Sequence, residues 1–423
     1  GVSSAVYALA VPPNGDVVAG GRFTAAGGVT VNRIARWNGT SWSALGTGVS
    51  GTVYTLAVLP NGDLIAGGDF TTAGGVTVNY IARWNGTSWS ALGTGMNSLV
   101  SALAVLPNGD LIAGGYFSTA GGVTVNSIAQ WNGTAWSALG TGMGGESRDV
   151  LELAVLPNGD LIAGGAFTTA GGVTVNRIAQ WNGTSWSALG TGISGDIDSR
   201  VFALAVRPNG DVVAGGYFST AGGLTVNRIA RWNGTSWSAL GTGLIGGVSA
   251  LAVFPNGDVV TQGKFTTAGG LTVNSIASWN GTSWSALGTG VNDWVRDLAV
   301  LPNGDLVAGG SFTTAGGVTS SRVAIITLQD LPVIIGQPPA ELALPASGTA
   351  IAVQVPPGST YQFMWRKQGQ PVADTRGLWS GATTATLHLR SADPLLLGEY
   401  DVVLTNECGT TRSNIARVIK DPG

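Results

Sequence analysis

Short apolar runs, each closed by a turn signal, recur along most of the chain. Between Thr55 and Gly95 they are Thr55–Leu59, Leu64–Gly68, Asn79–Trp84 and Trp89–Gly93. Val, Ile, Leu, Ala and Trp alternate there with polar or small residues, which predicts strands. Pro60-Asn61-Gly62-Asp63 joins the first two runs. Proline stops the strand, and Asn-Gly supplies the positive φ angles of a tight hairpin. Asn85-Gly86-Thr87-Ser88 joins the last two in the same way. Two hairpins make one four-stranded antiparallel sheet. No stretch combines a 3.6-residue apolar period with capping signals, so almost no helix is expected.

The whole unit then repeats. The turn asparagine falls at Asn14, Asn61, Asn108, Asn158, Asn209, Asn256 and Asn303, with spacings of 47, 47, 50, 51, 47 and 47 residues. A sheet this small cannot bury both faces alone, whereas radial stacking of such sheets does bury them. A Gly-Gly pair closes each second strand (Gly20-Gly21, Gly67-Gly68, Gly114-Gly115), where glycine permits close backbone approach near an axis. The sixth copy reads Thr261-Gln262-Gly263 instead. The Gly-Gly doublet, followed about twenty residues later by the Trp-Asn-Gly-Thr-Ser-Trp hairpin, resembles the Kelch repeat of galactose-oxidase-type propellers. That resemblance implies an all-β, seven-bladed β-propeller over residues 1–329. The tyrosine usual in Kelch third strands is absent, with Trp37 and its equivalents nearby.

The two ends of the repeat array differ. Gly1-Val2-Ser3 aligns with Gly48-Val49-Ser50, and the seventh copy runs Arg322-Val323-Ala324-Ile325-Ile326-Thr327 with no Trp-Asn-Gly-Thr-Ser-Trp hairpin after it. A closing strand supplied from upstream is the expectation, because pairing removes open edges. Further upstream blades are the alternative. From Asp330 the period vanishes. Runs at Ile351–Val355, Tyr361–Arg366, Thr384–Leu389, Glu399–Thr405 and Ser413–Ile419 predict a second all-β domain over 330–423. Trp365 in Gln-Phe-Met-Trp-Arg-Lys and the Gly398-Glu399-Tyr400-Asp401-Val402 segment resemble the immunoglobulin-like sandwich appended to secreted bacterial surface proteins. Val353 and Val402 stand where its cystine would be, so apolar packing is expected to replace that bond.

Composition narrows the chemistry. Of 423 residues 68 are Gly, only 10% are charged, and net charge is −3. Without a basic run, nucleic acid is not an expected partner. No eighteen-residue apolar run predicts a membrane span in this segment. His388 is the single histidine and is expected on an exposed strand position. The propeller region holds no His or Cys, which excludes His/Cys metal sites there, so the copper chemistry of galactose oxidase is not implied. Cys408 reads as a free thiol in a turn, with an intermolecular disulfide as the alternative. Asp16, Asp63, Asp110, Asp160, Asp211, Asp258 and Asp305 would form a ring near the axis; turn chemistry explains them better than a cation, since no Asp-x-Asp-x-Asp-Gly spacing occurs. The Trp37/Trp42-type pairs read as packing between repeats rather than as sugar platforms. The sequons at Asn38, Asn85, Asn132, Asn182, Asn233 and Asn280 are explained by turn geometry. No cofactor is expected.

Variation among the copies is the remaining signal. The hairpin turns barely change, whereas the connections between repeats and the residue after Gly-Gly do. Both lie at one end of every sheet. That face carries Asp69, Tyr116, Glu146, Arg148, Asp196, Asp198, Arg200, Tyr217, Lys264 and Trp294, the candidate binding residues. The function expected is a non-enzymatic extracellular or cell-surface scaffold that binds a protein or surface polysaccharide, or self-assembles into a layer. A multivalent lectin is the alternative. A carboxylate hydrolase or lyase ranks third, because Asp and Glu do not recur there as a close pair.

Overall fold

A computed structural model describes residues 1–195, 198–326, 332–355, 359, 361–406 and 409–421. Among these, strands, turns and loops are joined by a single 3-10 turn at Pro394–Leu396. The chain divides into two compact units, Gly1–Trp284 with Gly290–Ile326, and Ser285–Thr289 with the residues after Ile326.

In the second repeat the four expected strands are Thr52–Val58, Leu64–Asp69, Ile81–Trp84 and Trp89–Ala91, hydrogen-bonded in sequence order. The pattern misses one feature of every repeat. The Thr-Ala-Gly-Gly-Val-Thr stretch folds into its own miniature hairpin, Thr72–Ala73 against Val76–Thr77. The expected start of the third strand is also too early. Asn79 and Tyr80 sit at φ 49° and 70°, turning the chain, and pairing begins at Ile81. Alternation alone cannot reveal this, because Asn79 and Tyr80 keep the polar–apolar rhythm while their backbone is bent. The Tyr80 N–H instead donates to Phe70 O at 2.7 Å.

The first strands of successive repeats, Val6–Ala10, Thr52–Val58, Val100–Val105, Val150–Val155, Arg200–Val206, Leu244–Val253 and Val295–Val300, lie side by side, and the last lies against the first. The seams between repeats are apolar. Ile112 and Ile128 of the third repeat pack with Val150, Leu161, Phe167 and Trp186 of the fourth in one buried cluster. Glycine allows this approach: a Cβ at Gly114 would lie 2.4 Å from Val150 Cγ1. The fourth-strand tryptophan ties five of the seams, as Trp136 Nε1 donates to Leu92 O of the preceding repeat at 2.9 Å. Trp89, Trp186, Trp237 and Trp284 do the same to Leu45, Leu139, Leu189 and Leu240. In the sixth repeat the fully buried Gln262 takes the glycine position, and Ser249 Oγ donates to its Oε1 at 3.1 Å.

The seventh and first repeats share a seam of the same kind. Val307 packs with Val6, Leu9, Val17 and Phe23, flanked by Ala299, Leu301 and Val323. Val2 N donates to Ser321 O at 3.0 Å, the bond that Val49 makes to Asn32 O. Among the described residues the seventh sheet has three strands, Val295–Val300, Leu306–Gly310 and Val323–Ile326.

The second unit holds two sheets around one core. One carries Glu341–Leu344, Ala416–Lys420, Gly398–Asn406, Gln362–Lys367 and Gln370–Pro371, with Gly409–Arg412 paired to Gly398–Asn406; the other carries Thr349–Ala352, Thr386–Leu389 and Trp379–Ser380. Glu341–Leu344, unforeseen in the pattern, pairs in parallel with Ala416–Lys420. Trp365, Val353 and Val402 are buried together, and Tyr400 Oη donates to Leu396 O at 2.8 Å. His388 is exposed on its strand, and Cys408 lies outside the described residues.

Candidate functional site

The variable residues lie where the connections between strands place them. Asp69, Tyr116, Glu146, Arg148, Asp198, Tyr217, Lys264 and Trp294 are exposed, and Arg200 is half-buried. Asp196 lies outside the described residues. Two contacts gather some of them. Arg200 pairs with Tyr217 across adjacent strands, and Arg228 stacks over the Tyr217 ring at 4.1 Å. Arg296 stacks over Trp294 at 4.5 Å and over Tyr7 at 5.0 Å. Of the rest, Glu146 and Arg148 share the connection before Val150–Val155, and Asp69, Tyr116, Asp198 and Lys264 stand at separate places along the repeats.

A second set of residues lies beside these, along the first strands. In all seven repeats the register slips near the start of the first strand, at Val6/Ala8, Val53/Thr55, Val100/Ala102, Val150/Glu152, Val201/Ala203, Val248/Ala250 and Val295/Asp297. Such a bulge re-aims the extra side chain. Those side chains reach the next repeat. Tyr7 meets Tyr54 with ring centroids 5.4 Å apart, Ser101 Oγ donates to Val150 O at 2.6 Å, and Ser249 Oγ donates to Val295 O at 3.1 Å.

The position after the bulge holds Ala8, Thr55, Ala102, Ala203 and Ala250 in five repeats and Glu152 and Asp297 in the other two. Leu153 N donates to Glu152 Oε1 at 3.1 Å. Asp297 accepts from Leu298 N at 2.8 Å and, across the seam to the first repeat, from Leu9 N at 2.7 Å. Protein surrounds both carboxyls, yet each keeps partial contact with solvent. Loss of hydration pushes Glu152 from 4.5 up to about 8, and the charge of Asp297 pushes the same way. Loss of hydration pushes Asp297 from 3.8 up to about 7, against the pull of its two N–H donors. Braced by those donors, Asp297 ionises first, and its charge then weighs on Glu152. Sequence reading by motif missed this pair. Lining up the seven first strands would have found it, as two acids in a column of small residues.

The turn aspartates do not point at the axis as a ring. Each accepts from its turn asparagine, as in Asn61 Nδ2 to Asp63 Oδ2 at 2.9 Å, and five reach outward to the third strand. Arg36, Arg83 and Arg231 pair with Asp16, Asp63 and Asp211, while Gln130 and Gln180 donate to Asp110 and Asp160 at 2.6 and 2.7 Å. They are turn and cross-strand anchors. The fourth-strand tryptophans are internal likewise, each tilted against its third-strand partner at 5.3–5.6 Å. Among the described residues no group of three or more His, Cys, Asp or Glu is placed to hold a metal ion, and no helix is long and apolar enough to cross a membrane.

This architecture is that of a propeller-like repeat protein, built of repeated four-stranded sheets. The model of a β-propeller domain of unknown function, DUF5122, matches residues 59–86, 156–182 and 207–234. No curated protein matches the chain. Solved structures that resemble part of it include the titin M3 domain (22% identity, 21% of this chain and 96% of that one, TM-score 0.19). Another is the N-terminal Ig1-2 module of the Drosophila receptor protein tyrosine phosphatase DLAR (18% identity, 28% and 61%, TM-score 0.21).

Proposed function

We propose that this chain is a non-enzymatic binding scaffold, working outside the cell or at its surface. In this reading residues 1–329 form a seven-bladed propeller of Kelch type, and residues 330–423 form an immunoglobulin-like sandwich. The seam between the seventh and first repeats favours a closed ring, and the buried Trp365 and the Tyr400–Leu396 bond favour the sandwich. The observation that carries the binding role is the set of exposed aromatics at the variable end. Tyr116, Phe202, Tyr217 and Trp294 are all solvent-facing, two of them stacked with arginine. Rigid aromatics beside arginine are the side chains that dominate recognition surfaces. The axial carboxyls fit a structural role better than a catalytic one, because both oxygens of Asp297 are held by backbone N–H groups.

The partner class is a protein or surface polysaccharide. The lectin reading keeps its place because exposed Tyr and Trp rings suit stacking on sugars. A panel of glycans and cell-surface polymers tests both. The expected result is retention of one class, abolished by a Tyr116→Ala/Tyr217→Ala/Trp294→Ala triple variant with unchanged melting. A stoichiometry above one selects the lectin. Retention untouched by the triple variant overturns the face assignment, and release of cleaved product from a retained polymer overturns the non-enzymatic role.

A further inference from the structure

The bulge in each first strand turns one extra side chain toward the next repeat, and the copies differ in what they put there. The third and sixth repeats hold serine, whose hydroxyl is spent on a carbonyl of the repeat beyond, Val150 O at 2.6 Å and Val295 O at 3.1 Å. Leu151 and Phe202 bring no polar group. The seventh, first and second repeats hold Arg296, Tyr7 and Tyr54 in succession. The Arg296 guanidinium lies over the Trp294 ring at 4.5 Å and over the Tyr7 ring at 5.0 Å. Tyr7 in turn meets Tyr54 with ring centroids 5.4 Å apart. Trp294 is exposed and the other three are half-buried, so part of each side chain is left to solvent.

Other arginines of the repeats show what a guanidinium ordinarily does in this fold. Arg36, Arg83 and Arg231 pair with turn aspartates, and Arg33, Arg177 and Arg322 donate to backbone carbonyls. Among the described residues Arg296 joins no ion pair, and its Nε is buried without a hydrogen-bond partner. The carboxyls nearest in sequence are committed elsewhere. Asp293 accepts from Trp294 N at 2.7 Å, and Asp297 from Leu9 N and Leu298 N. A cation held in place by aromatic rings, with its charge-assisted hydrogen bonds still to be made, is prepared for an anion.

We propose that Arg296, with Trp294, Tyr7 and Tyr54, binds one uronic-acid residue of an acidic polysaccharide, the carboxylate on the guanidinium and the sugar ring against the neighbouring aromatic rings. This rests on the surface-polysaccharide reading above and narrows it. The guanidinium fork matches a planar carboxylate, and tyrosine and tryptophan faces suit the C–H face of a sugar. A heavily sulfated or phosphorylated polymer would crowd several charges onto a single arginine beside Asp293 and Asp297. An acidic peptide brings the carboxylate without the ring. Only this run of repeats joins the charge to the rings, so one site per chain is expected, against the several equivalent sites of the lectin alternative.

The test is calorimetric titration of the full chain with short oligomers of galacturonate, glucuronate and guluronate. The expected result is saturable one-to-one binding of at least one of them. Its methyl ester, which keeps the sugar and loses the charge, should bind at least tenfold more weakly, and that comparison needs no variant. Arg296→Gln should weaken binding about tenfold or more, and Tyr54→Leu severalfold, both with melting unchanged. Equal affinity for acid and ester, an unaffected Arg296→Gln, or a stoichiometry above one overturns the proposal. Equal binding of an oligoglutamate peptide also overturns it, by showing that the sugar ring is not read. Retention of a protein or a neutral polymer without affinity for any uronate oligomer overturns this inference and leaves the scaffold reading standing.

Discussion

Glu152→Gln probes the axial carboxyl pair directly. In the folded chain Glu152 holds its proton up to about 8 rather than 4.5, and Asp297 up to about 7 rather than 3.8. The unfolded chain releases both protons at lower pH than the folded one. The contribution of the neutral pair is therefore fully present below about pH 4 and drains away as pH climbs through 7 and 8. At ~1.4 kcal/mol per pH unit, the Glu152 displacement sets a ceiling of about 5 kcal/mol. Solvent reaches both groups in part, and water at a carboxylate recovers some of the lost hydration. A gain of about 2–3 kcal/mol for the variant above pH 8 is the working figure. Glutamine keeps an oxygen to accept from Leu153 N, so the neutral contact survives.

Urea unfolding followed by tryptophan fluorescence between pH 5 and pH 9 reads this out. All of the tryptophans except Trp365 and Trp379 precede residue 327, so the signal reports mainly the repeats. Wild type should lose stability steadily over that range. The variant should lose less and overtake wild type near neutrality, with an unchanged m-value. A flat wild-type profile, or a variant less stable than wild type at pH 9, refutes the reasoning.

Three further substitutions test the seams and the second unit. Trp136→Phe keeps an aromatic ring but leaves Leu92 O without its indole donor, so about 1–2 kcal/mol should be lost in the urea midpoint. Gly114→Ala drives a methyl to within 2.4 Å of Val150 Cγ1, and overpacking of that kind should cost about 1–3 kcal/mol in the same assay. Asp401→Asn strands two guanidinium groups, since Asp401 is buried and accepts from Arg366 Nη2 at 2.5 Å and from Arg412. Breaking a buried pair costs about 3–5 kcal/mol, to be read from an unfolding transition reported by Trp365.

What the sequence made legible was whatever the repeat says more than once. Asn-Gly turns, strand alternation and the spacing of the tryptophans each recur, and each led to the right element. The miniature hairpin also recurs, yet it was missed. Its strands are two residues long, too short for alternation to register, and its glycines read as plain loop. The axial pair was missed for the opposite reason. Glu152 and Asp297 each occur once, 145 positions apart, and only the circling of the first strands makes their columns coincide. The variable residues were legible as positions in the connections, which antiparallel pairing puts at one end of each sheet. Which of them touch was not, since the stacking of Arg228 on Tyr217 depends on a turn geometry that no spacing encodes.

Near-identity of the copies turns each departure into a comparison with an internal control, and the seventh repeat departs on both its inner and its outer side. Its inner strand keeps the Val295 and Leu298 of the seam, and Gly309-Gly310 keeps the close approach to Val6. Its outer side changes at several points. Asn32, Asn79, Asn126, Asn176 and Asn227 each donate Nδ2 to the threonine carbonyl after their own fourth strand; Ser321 stands there in the seventh repeat, with no amide to give. Ile325 replaces the partner that the turn aspartate has in five repeats, and Ile326 replaces the tryptophan that stacks on the fourth strand. The inner strand departs at Asp297, and that change serves the seam, since Asp297 accepts from Leu9 N of the first repeat at 2.7 Å. The inner side is thus held by both packing and hydrogen bonding to the first repeat, in a cluster that the outer strand joins through Val323.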